Sequence, residues 1–319
     1  MFRKMTIVGV IVLATRVASA APTAITACGS IAAPGSYQLA HNLTAAGNCL
    51  VLKAGRVTLD LNGFLISGNG TGAGITDGGI TLYRTVIRNG NITGFQTGID
   101  LSHSQITTVD QVVVANGQTG IRAGIYAAVT DCSVDSSSAN AIVVGNDCLV
   151  TNNMVNNNGK GTSTSNIAVN PTSGNGITGG VNCLISGNNV SGNGQGVGIY
   201  AGNAALVVHN VASADYGGII VGDASGVLDN SATRNSHFGI GASRGSTVAQ
   251  NSAAVNGVAA NGAGIEVHEW SLISGNAASS NAYGFRIFCP SALVSDTAYS
   301  NTVQNYFFFF PPCASFNNL

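Results

Sequence analysis

The densest run of reactive side chains in this sequence is Glu266-Val267-His268-Glu269-Trp270, with Arg244 before it and Arg286 after it. Glu and His can move protons, and Arg can stabilise the anion left when a proton departs. A lyase or epimerase acting on a uronate needs a base for the C5 proton and a cation for the developing charge. Glu266 and His268 are the candidate bases, and Arg286, Arg244 or Lys160 the candidate cations. A glycosidase needs two carboxylates roughly 5–9.5 Å apart, and Glu266 with Glu269 is the pair this run offers. Trp270 is the single Trp of the chain, and a ring beside carboxylates and hydrogen-bond donors suits a sugar, with its apolar faces and many hydroxyls. The plain alternative is a surface ion pair, Glu266 with Arg286, beside a solvated His268.

Other chemistry is poorly supported. His268-Glu269-Trp270 starts like H-E-x-x-H but has no second His, so it is no zinc site. Gly72-Ala73-Gly74 precedes no helical pattern, which rules out a nucleotide loop. No cofactor is implied, and the lack of any basic run or stripe argues against nucleic acid.

The elements that position these residues are repeats. Gly-Ile or a close variant recurs at Ala141-Ile142, Gly176-Ile177, Gly198-Ile199, Gly218-Ile219, Gly239-Ile240, Gly264-Ile265 and Gly284-Phe285. Weaker copies start at Gly74-Ile75, Gly98-Ile99 and Gly124-Ile125. Two rows of Asn follow at fixed offsets: Asn153, Asn188, Asn210, Asn230, Asn251 and Asn276, ending in Asp296, then Asn158, Asn193, Asp215, Asn235, Asn256 and Asn281. Short aliphatic runs lie between these marks, and no helical period is sustained. The pattern predicts an all-β, right-handed parallel β-helix of three-strand coils, about 20–22 residues each and roughly ten in number. Asn at a turn can take a left-handed conformation, and stacked amides can bond along a row, so the Asn rows read as structural.

If the Ile of each Gly-Ile points inward, the next residue points outward. That outward row reads Asp100, Tyr126, Val143, Thr178, Tyr200, Ile220, Gly241, Glu266 and Arg286, with Ser102, Ser243 and His268 beside it. His103, Asp223, Arg244 and Glu269 fall near the strand ends. Asp100, Tyr126, Tyr200, Arg244, Glu269, Trp270 and Lys160 are thus candidate substrate-binding residues, on the face whose corner carries the insertions Gly159–Asn175 and Gly257–Ala263.

Strings such as Gly-Ile, Leu184-Ile185-Ser186-Gly187-Asn188 and Leu272-Ile273-Ser274-Gly275-Asn276, with Val57-Thr58-Leu59-Asp60-Leu61-Asn62-Gly63, resemble the parallel β-helix repeats of pectin-lyase-like and NosD-like proteins. The resemblance spans about residues 28–305. It implies the fold and leaves the activity open, because that fold hosts lyases, hydrolases, epimerases, adhesins and binding proteins. The paired Asp of polygalacturonases and the acidic cluster of calcium-dependent pectate lyases are missing. Copper binding, implied by some NosD-like relatives, wants clustered His or Met; the five His are scattered, and Met154 is the only Met after residue 20.

Residues 1–20 read as a signal peptide: Arg3 and Lys4, an apolar run Thr6–Ala14, then Ala18-Ser19-Ala20. They hold three of the twelve basic residues and none of the thirteen acids, leaving nine cations against thirteen carboxylates, a formal charge of −4. The expected divisions are a cap over 21–56, the β-helix over 57–305 and a second cap over 306–319. Seven Cys in an exported chain permit disulfides. Cys28 with Cys49 and Cys289 with Cys313 are the expected pairs, one at each end. Cys132, Cys148 and Cys183 each precede a similar string and read as small buried side chains at one repeat position. Phe307-Phe308-Phe309-Phe310 reads as an apolar plug over the last coil. Together these features predict a secreted or periplasmic β-helix with no later membrane span, which binds or modifies a polysaccharide or cell-surface glycan. The alternative is a non-catalytic surface protein or adhesin.

Overall fold

The structure, a computed structural model, describes residues 21–159, 174–194, 196–257, 262–310 and 312–316. The proposed signal peptide, Lys160 and most of the large insertion lie outside these residues. The described chain is all β and turns, wound into about a dozen coils of three short strands. Sheet I collects the Gly-Ile strands, thirteen rungs from Gly29–Ile31 to Gln304–Phe309. Sheet II follows the first corner, from Thr23–Ile25 to Ala314–Phe316, and sheet III the second, from Leu43–Thr44 to Thr297–Tyr299. Every rung pairs in parallel with its neighbours, and the eight-residue strands Val86–Thr93 and Thr108–Ala115 run through sheets II and III unbroken. The ladders already begin at Thr23–Ile25, within the stretch expected to be a cap.

Alternation places one residue of each three-residue strand of sheets II and III in the core, and two of the longer sheet I strands, such as Ile265 and Val267. Ile75, Ile99, Ile121, Ile142, Ile177, Ile199, Ile219, Ile240 and Ile265 stack in register on sheet I, all fully buried. Opposite them sheet II buries Val150, Ile185, Val207 and Ile273, and sheet III narrows from Val190 to Ala212, Ala232 and Ala253. Each fully buried aliphatic side chain contributes about 1.5–3 kcal/mol.

The register corrects one repeat. Ile99 pairs with Ile121 and Asp100 with Arg122, so the weak copy is Gly120-Ile121, not Gly124-Ile125. Arg122 therefore takes the outward place expected for Tyr126. Tyr126 sits beyond the strand, on the corner between sheets I and II, at φ 57°.

The Asn rows are hydrogen-bonded ladders. From Asn188 on, each amide Nδ2 donates to the Oδ1 of the next coil at 2.8–3.0 Å, through Asn210, Asn230, Asn251 and Asn276 to Asp296. The second Nδ2 hydrogen goes to a carbonyl, as from Asn230 to Val207, and each Oδ1 also accepts a backbone N–H. An amide offers two donors and two acceptor sites, and here all are filled, so these residues have nothing left for a ligand. The left-handed conformation expected of the ladder Asn belongs to the residue before it: Asn152, His209, Asp229 and Gln250 have φ of 54–58°. That residue bends the chain, and the Asn then faces inward to close the stack.

The second row explains the constant spacing from Gly-Ile. A Cβ on Gly239 would lie 2.7 Å from the Nδ2 of Asn256, and one on Gly264 2.5 Å from the Nδ2 of Asn281. Each coil closes its Asn amide against its own Gly. Coil length can then vary only after that Asn.

Cys28–Cys49 and Cys289–Cys313 are disulfides, as expected. A third disulfide, Cys148–Cys183, joins two of the three cysteines expected to share one repeat position. Leu149 pairs with Leu184, which puts Cys148 and Cys183 on one row. Ser133 pairs with Met154, which puts Cys132 on the Asn153 row, where it stays a buried free thiol. The Phe run is the last rung of sheet I rather than a separate plug. Tyr306 and Phe308 cover the core, with Tyr306 stacked on Phe285 at 5.2 Å.

Candidate functional site

The outer surfaces of the three sheets differ. From Leu149 to Val294 the outward positions of sheet II carry only aliphatic, glycine and hydroxyl residues, such as Leu206, Leu228, Thr247 and Ser274. Sheet III from Asn189 to Ser279 carries Asn, Ser, Thr, Val and Ala. Sheet I instead aligns Asp100, Arg122, Val143, Thr178, Tyr200, Ile220, Gly241, Glu266, Arg286 and Phe307 in one row. At about 4.8 Å per rung, Asp100 and Glu266 stand about 34 Å apart. The row is thus a track with two chemical ends, not one cluster.

At the C-terminal end Glu266 and Arg286 pair across adjacent rungs, Oε2 to Nη1 at 3.2 Å. The Arg286 guanidinium also lies 5.7 Å from the Tyr283 ring and 5.6 Å from the Phe309 ring. His268 stacks on Phe288 at 4.5 Å, and Phe288 stacks on Phe309 at 4.2 Å. Phe307 and Phe309, half of the terminal Phe run, therefore belong to this outer face. Below Glu266 the row drops to Gly241, where the nearest atoms to an added Cβ are on the Phe238 ring and Ile220, at 3.8–3.9 Å. The result is a notch bounded by Ile220, Phe238 and Glu266. Tyr216 stacked on His237 at 3.8 Å marks the corner next to it, and burial lowers the pKa of His237.

Arg244, Glu269 and Trp270 do not lie on this surface. They fall on the corner between sheets I and II. Arg244 Nε donates to Glu269 Oε2 at 3.0 Å, and the Arg244 backbone N–H donates to Asp223. Glu269's own backbone N–H, together with the Arg244 guanidinium, holds its carboxyl below the ordinary range. Glu269 is thus held in its ionised form, and Glu266 is paired with Arg286. Trp270 has φ 64° and is 73% exposed. Tyr200 lies on the row three rungs before Glu266.

The N-terminal end holds a constellation that reading the chain by motif did not single out. Asp77 is buried and fully bonded: the N–H groups of Gly79 and His103 and the hydroxyl of Ser104 donate to it at 2.9–3.0 Å. Its Oδ1 lies 3.4 Å from Nδ1 of His103. The Ser102 hydroxyl donates to Asp100 at 2.7 Å and stands 3.3 Å from the same Nδ1. A hydroxyl has one hydrogen, so with that hydrogen on Asp100 the imidazole Nδ1 is the donor to Ser102. The basic nitrogen of the neutral ring is then Nε2, on a side chain 57% exposed. The Nδ1 hydrogen then goes to Ser102, with the buried Asp77 carboxylate 3.4 Å away as a negative charge beside the ring, and the lone pair of Nε2 on an exposed imidazole can take a proton. The local signal was weak: Asp77 precedes Gly78-Gly79 and reads as a turn residue, and it lies 26 residues before His103.

Residues 176–308 match the family described as "Periplasmic copper-binding protein (NosD)". No curated protein sequence matches the chain. Among solved structures, the chain is similar to a mannuronan C-5 epimerase A-module from Azotobacter vinelandii, at 14% identity, TM-score 0.61 and 90% of each chain covered. It is similar to a periplasmic alginate epimerase at 13% identity and TM-score 0.59, covering 90% of this chain and 79% of that one. A tailspike of E. coli bacteriophage HK620, in complex with a pentasaccharide, aligns at 12% identity and TM-score 0.56 over 89% of this chain, which spans about three fifths (60%) of the tailspike. The family description implies copper, and the donors here do not fit it. Among the described residues no three His, Cys, Asp or Glu side chains converge on a metal position. The one free thiol described, Cys132, is buried alone, with its pKa pushed by burial to about 12. The coil geometry and these likenesses together make the chain a right-handed parallel β-helix with the pectate-lyase-like fold.

Proposed function

We propose that this chain is an exported protein that binds a polysaccharide along the outer face of sheet I and carries a base, His103, at one end of that track. The observation that carries the reading is the contrast between the sheets over the later rungs: aromatic and ionisable side chains gather on the outward row of sheet I, while sheet II from Leu149 to Val294 and sheet III from Asn189 to Ser279 are aliphatic, glycine, amide and hydroxyl outside; before those rungs the charges of sheet II are Asp60, Arg88 and Asp110, with Asp60 and Arg88 paired to each other. Rings at Tyr200, Phe238, Tyr283 and Phe307 offer flat apolar surface to sugar faces. Glu266 and Arg286 offer acceptors and a planar donor fork beside the notch at Gly241. These residues act as binding groups in this reading, with proton removal left to His103. The named activities of the epimerases, and the pentasaccharide held by the tailspike, agree with a glycan ligand. Three disulfides fit an oxidising compartment, and no helix among the described residues is long and apolar enough to cross a membrane.

The test is a glycan array with the mature chain, followed by lyase and epimerase assays on every polymer that binds. Tyr200→Ala with Arg286→Ala is expected to weaken binding at least tenfold. His103→Ala is expected to abolish turnover while leaving binding within twofold. No binding to any polysaccharide would sink the reading in favour of a passive surface rod. Activity retained in His103→Ala would remove the base.

A further inference from the structure

The corner between sheets I and II carries a feature separate from both ends of the track. Over the first rungs, a cavity of about 510 Å³ opens between Arg56, Thr81, Leu82, Tyr83, Arg84 and Ile106. Leu82 forms a buried apolar floor, while Tyr83 and Ile106 are half exposed. Gly55 lets the rungs approach there, since a Cβ would lie 2.6 Å from the Tyr83 carbonyl oxygen.

Arg56 and Arg84 line this cavity on successive rungs, where the Arg56 N–H bonds the Tyr83 carbonyl. Both Arg residues occupy the left-handed position of the corner, with φ of 56° and 57°. Other rungs fill the same position with residues as different as Tyr126, Asp147, Asn182, Ala204 and Trp270, so local backbone preference does not account for Arg here. Arg88, Arg244 and Arg286 are each paired with a carboxylate, whereas Arg122 and Arg234 are unpaired among the described residues but lie on separate rungs away from this cavity. Among the described residues, Arg56 and Arg84 make no ion pair, and no acidic residue lines the cavity. In a chain with more carboxylates than cations, two unpaired Arg residues on successive rungs beside an open cavity are the groups an anion site needs. Their planar forks match a carboxylate or a sulfate ester, and Tyr83, Leu82 and Ile106 supply apolar surface of the kind a sugar ring covers.

We propose that this cavity is a subsite for the anionic group of an acidic saccharide. The sugar rests on the glycan reading above; the anion rests on Arg56 and Arg84 alone. One rung pairs the two features, because Ile106 of the cavity wall follows Asp100, Ser102 and His103 in the same coil. A chain lying on the N-terminal end of sheet I reaches the cavity by turning one corner.

The experiment measures affinity of the mature chain for polygalacturonate, its fully methyl-esterified form and dextran sulfate, at low and high salt. Wild type is expected to bind at least one charged polymer tenfold or more tighter than the neutral one, less so at high salt. Arg56→Ala with Arg84→Ala is expected to remove that difference and leave neutral-polymer affinity unchanged. The Lys double variant, which keeps the charge and loses the fork, is expected to fall between, and circular dichroism checks folding. Preference for polygalacturonate over dextran sulfate, or the reverse, distinguishes carboxylate from sulfate. Equal affinity for charged and neutral polymers, or a difference that survives in the Ala variant, overturns the subsite. If no polymer binds, the glycan reading fails, and inorganic sulfate with free galacturonate is titrated against the Arg side-chain N–H signals. A saturable shift confined to Arg56 and Arg84 then supports the anion site; its absence overturns that too.

Discussion

Asp215 shows how much one atom matters in a ladder. It stands where its neighbours are Asn, accepting from Asn193 through Oδ1, but it has no amide hydrogen to pass on. Its Oδ2 is buried without a hydrogen-bond partner. Burial raises its pKa to about 7 from 3.8. Below the unfolded value both states hold the proton and nothing is lost. Between about 4 and 7 the folded state alone holds it, so stability falls as pH rises. Above 7 the full penalty applies, about 4 kcal/mol. Asp215→Asn is therefore expected to raise Tm by several degrees at pH 8 and hardly at all at pH 4; an equal shift at both would refute the account. Cys132 is the opposite kind of residue. Buried, with its thiol pKa about 12, it is expected to resist iodoacetamide until the chain unfolds, as mass spectrometry of peptides would show.

At the scale of the element, Gly-Ile and the second Asn row are one device. The Gly has no Cβ so that the Asn amide can close the coil over it. Gly239→Ala would press on both the Asn256 amide and the Gly264 carbonyl, and since the Gly264 contact is backbone it cannot simply rotate away. A loss of about 1–3 kcal/mol is expected, read by urea denaturation. The same substitution at Gly241, where the nearest contacts are 3.8–3.9 Å, is expected to change stability by less than about 0.5 kcal/mol. If the notch there admits a ligand, it would reduce glycan binding without touching the fold.

Across the whole molecule, disulfides tie the first and last coils, and a third bridges the coils on either side of the large insertion. A stack of rungs depends on its terminal rungs to cover the core. Tyr306 and Phe308 do this at the end of sheet I. A chain ending at residue 303 would expose Phe285 and a free strand edge from Tyr283 to Phe288. It is expected to self-associate, seen as larger species by size-exclusion chromatography at concentrations where the full chain is unaffected.

Repetition made the fold legible in the chain. Gly-Ile, the two Asn offsets and the aliphatic runs recur because each rung faces the same neighbours, so one error in one rung is outvoted by the others. That logic also located sheet I as the face bearing Asp100, Tyr200, Glu266 and Arg286; the pairing of Cys28 with Cys49 and Cys289 with Cys313 was legible from their places at the two ends. It failed where one rung departs from the rest. Gly120-Ile121 and Gly124-Ile125 both look like repeats, and only strand pairing puts Arg122 on the row and Tyr126 on the corner. Cys132 sits in a string like those of Cys148 and Cys183, yet the register places it one corner away. The Asp77–His103 pair and the Arg56–Arg84 cavity were hidden for a related reason. Their members are 26 and 28 residues apart, longer than the usual coil, and lie at turns where the periodic signal is weakest. Sequence determined which residues repeat; stacking, which sets each residue beside its neighbour one coil on, decided which of the exceptions meet.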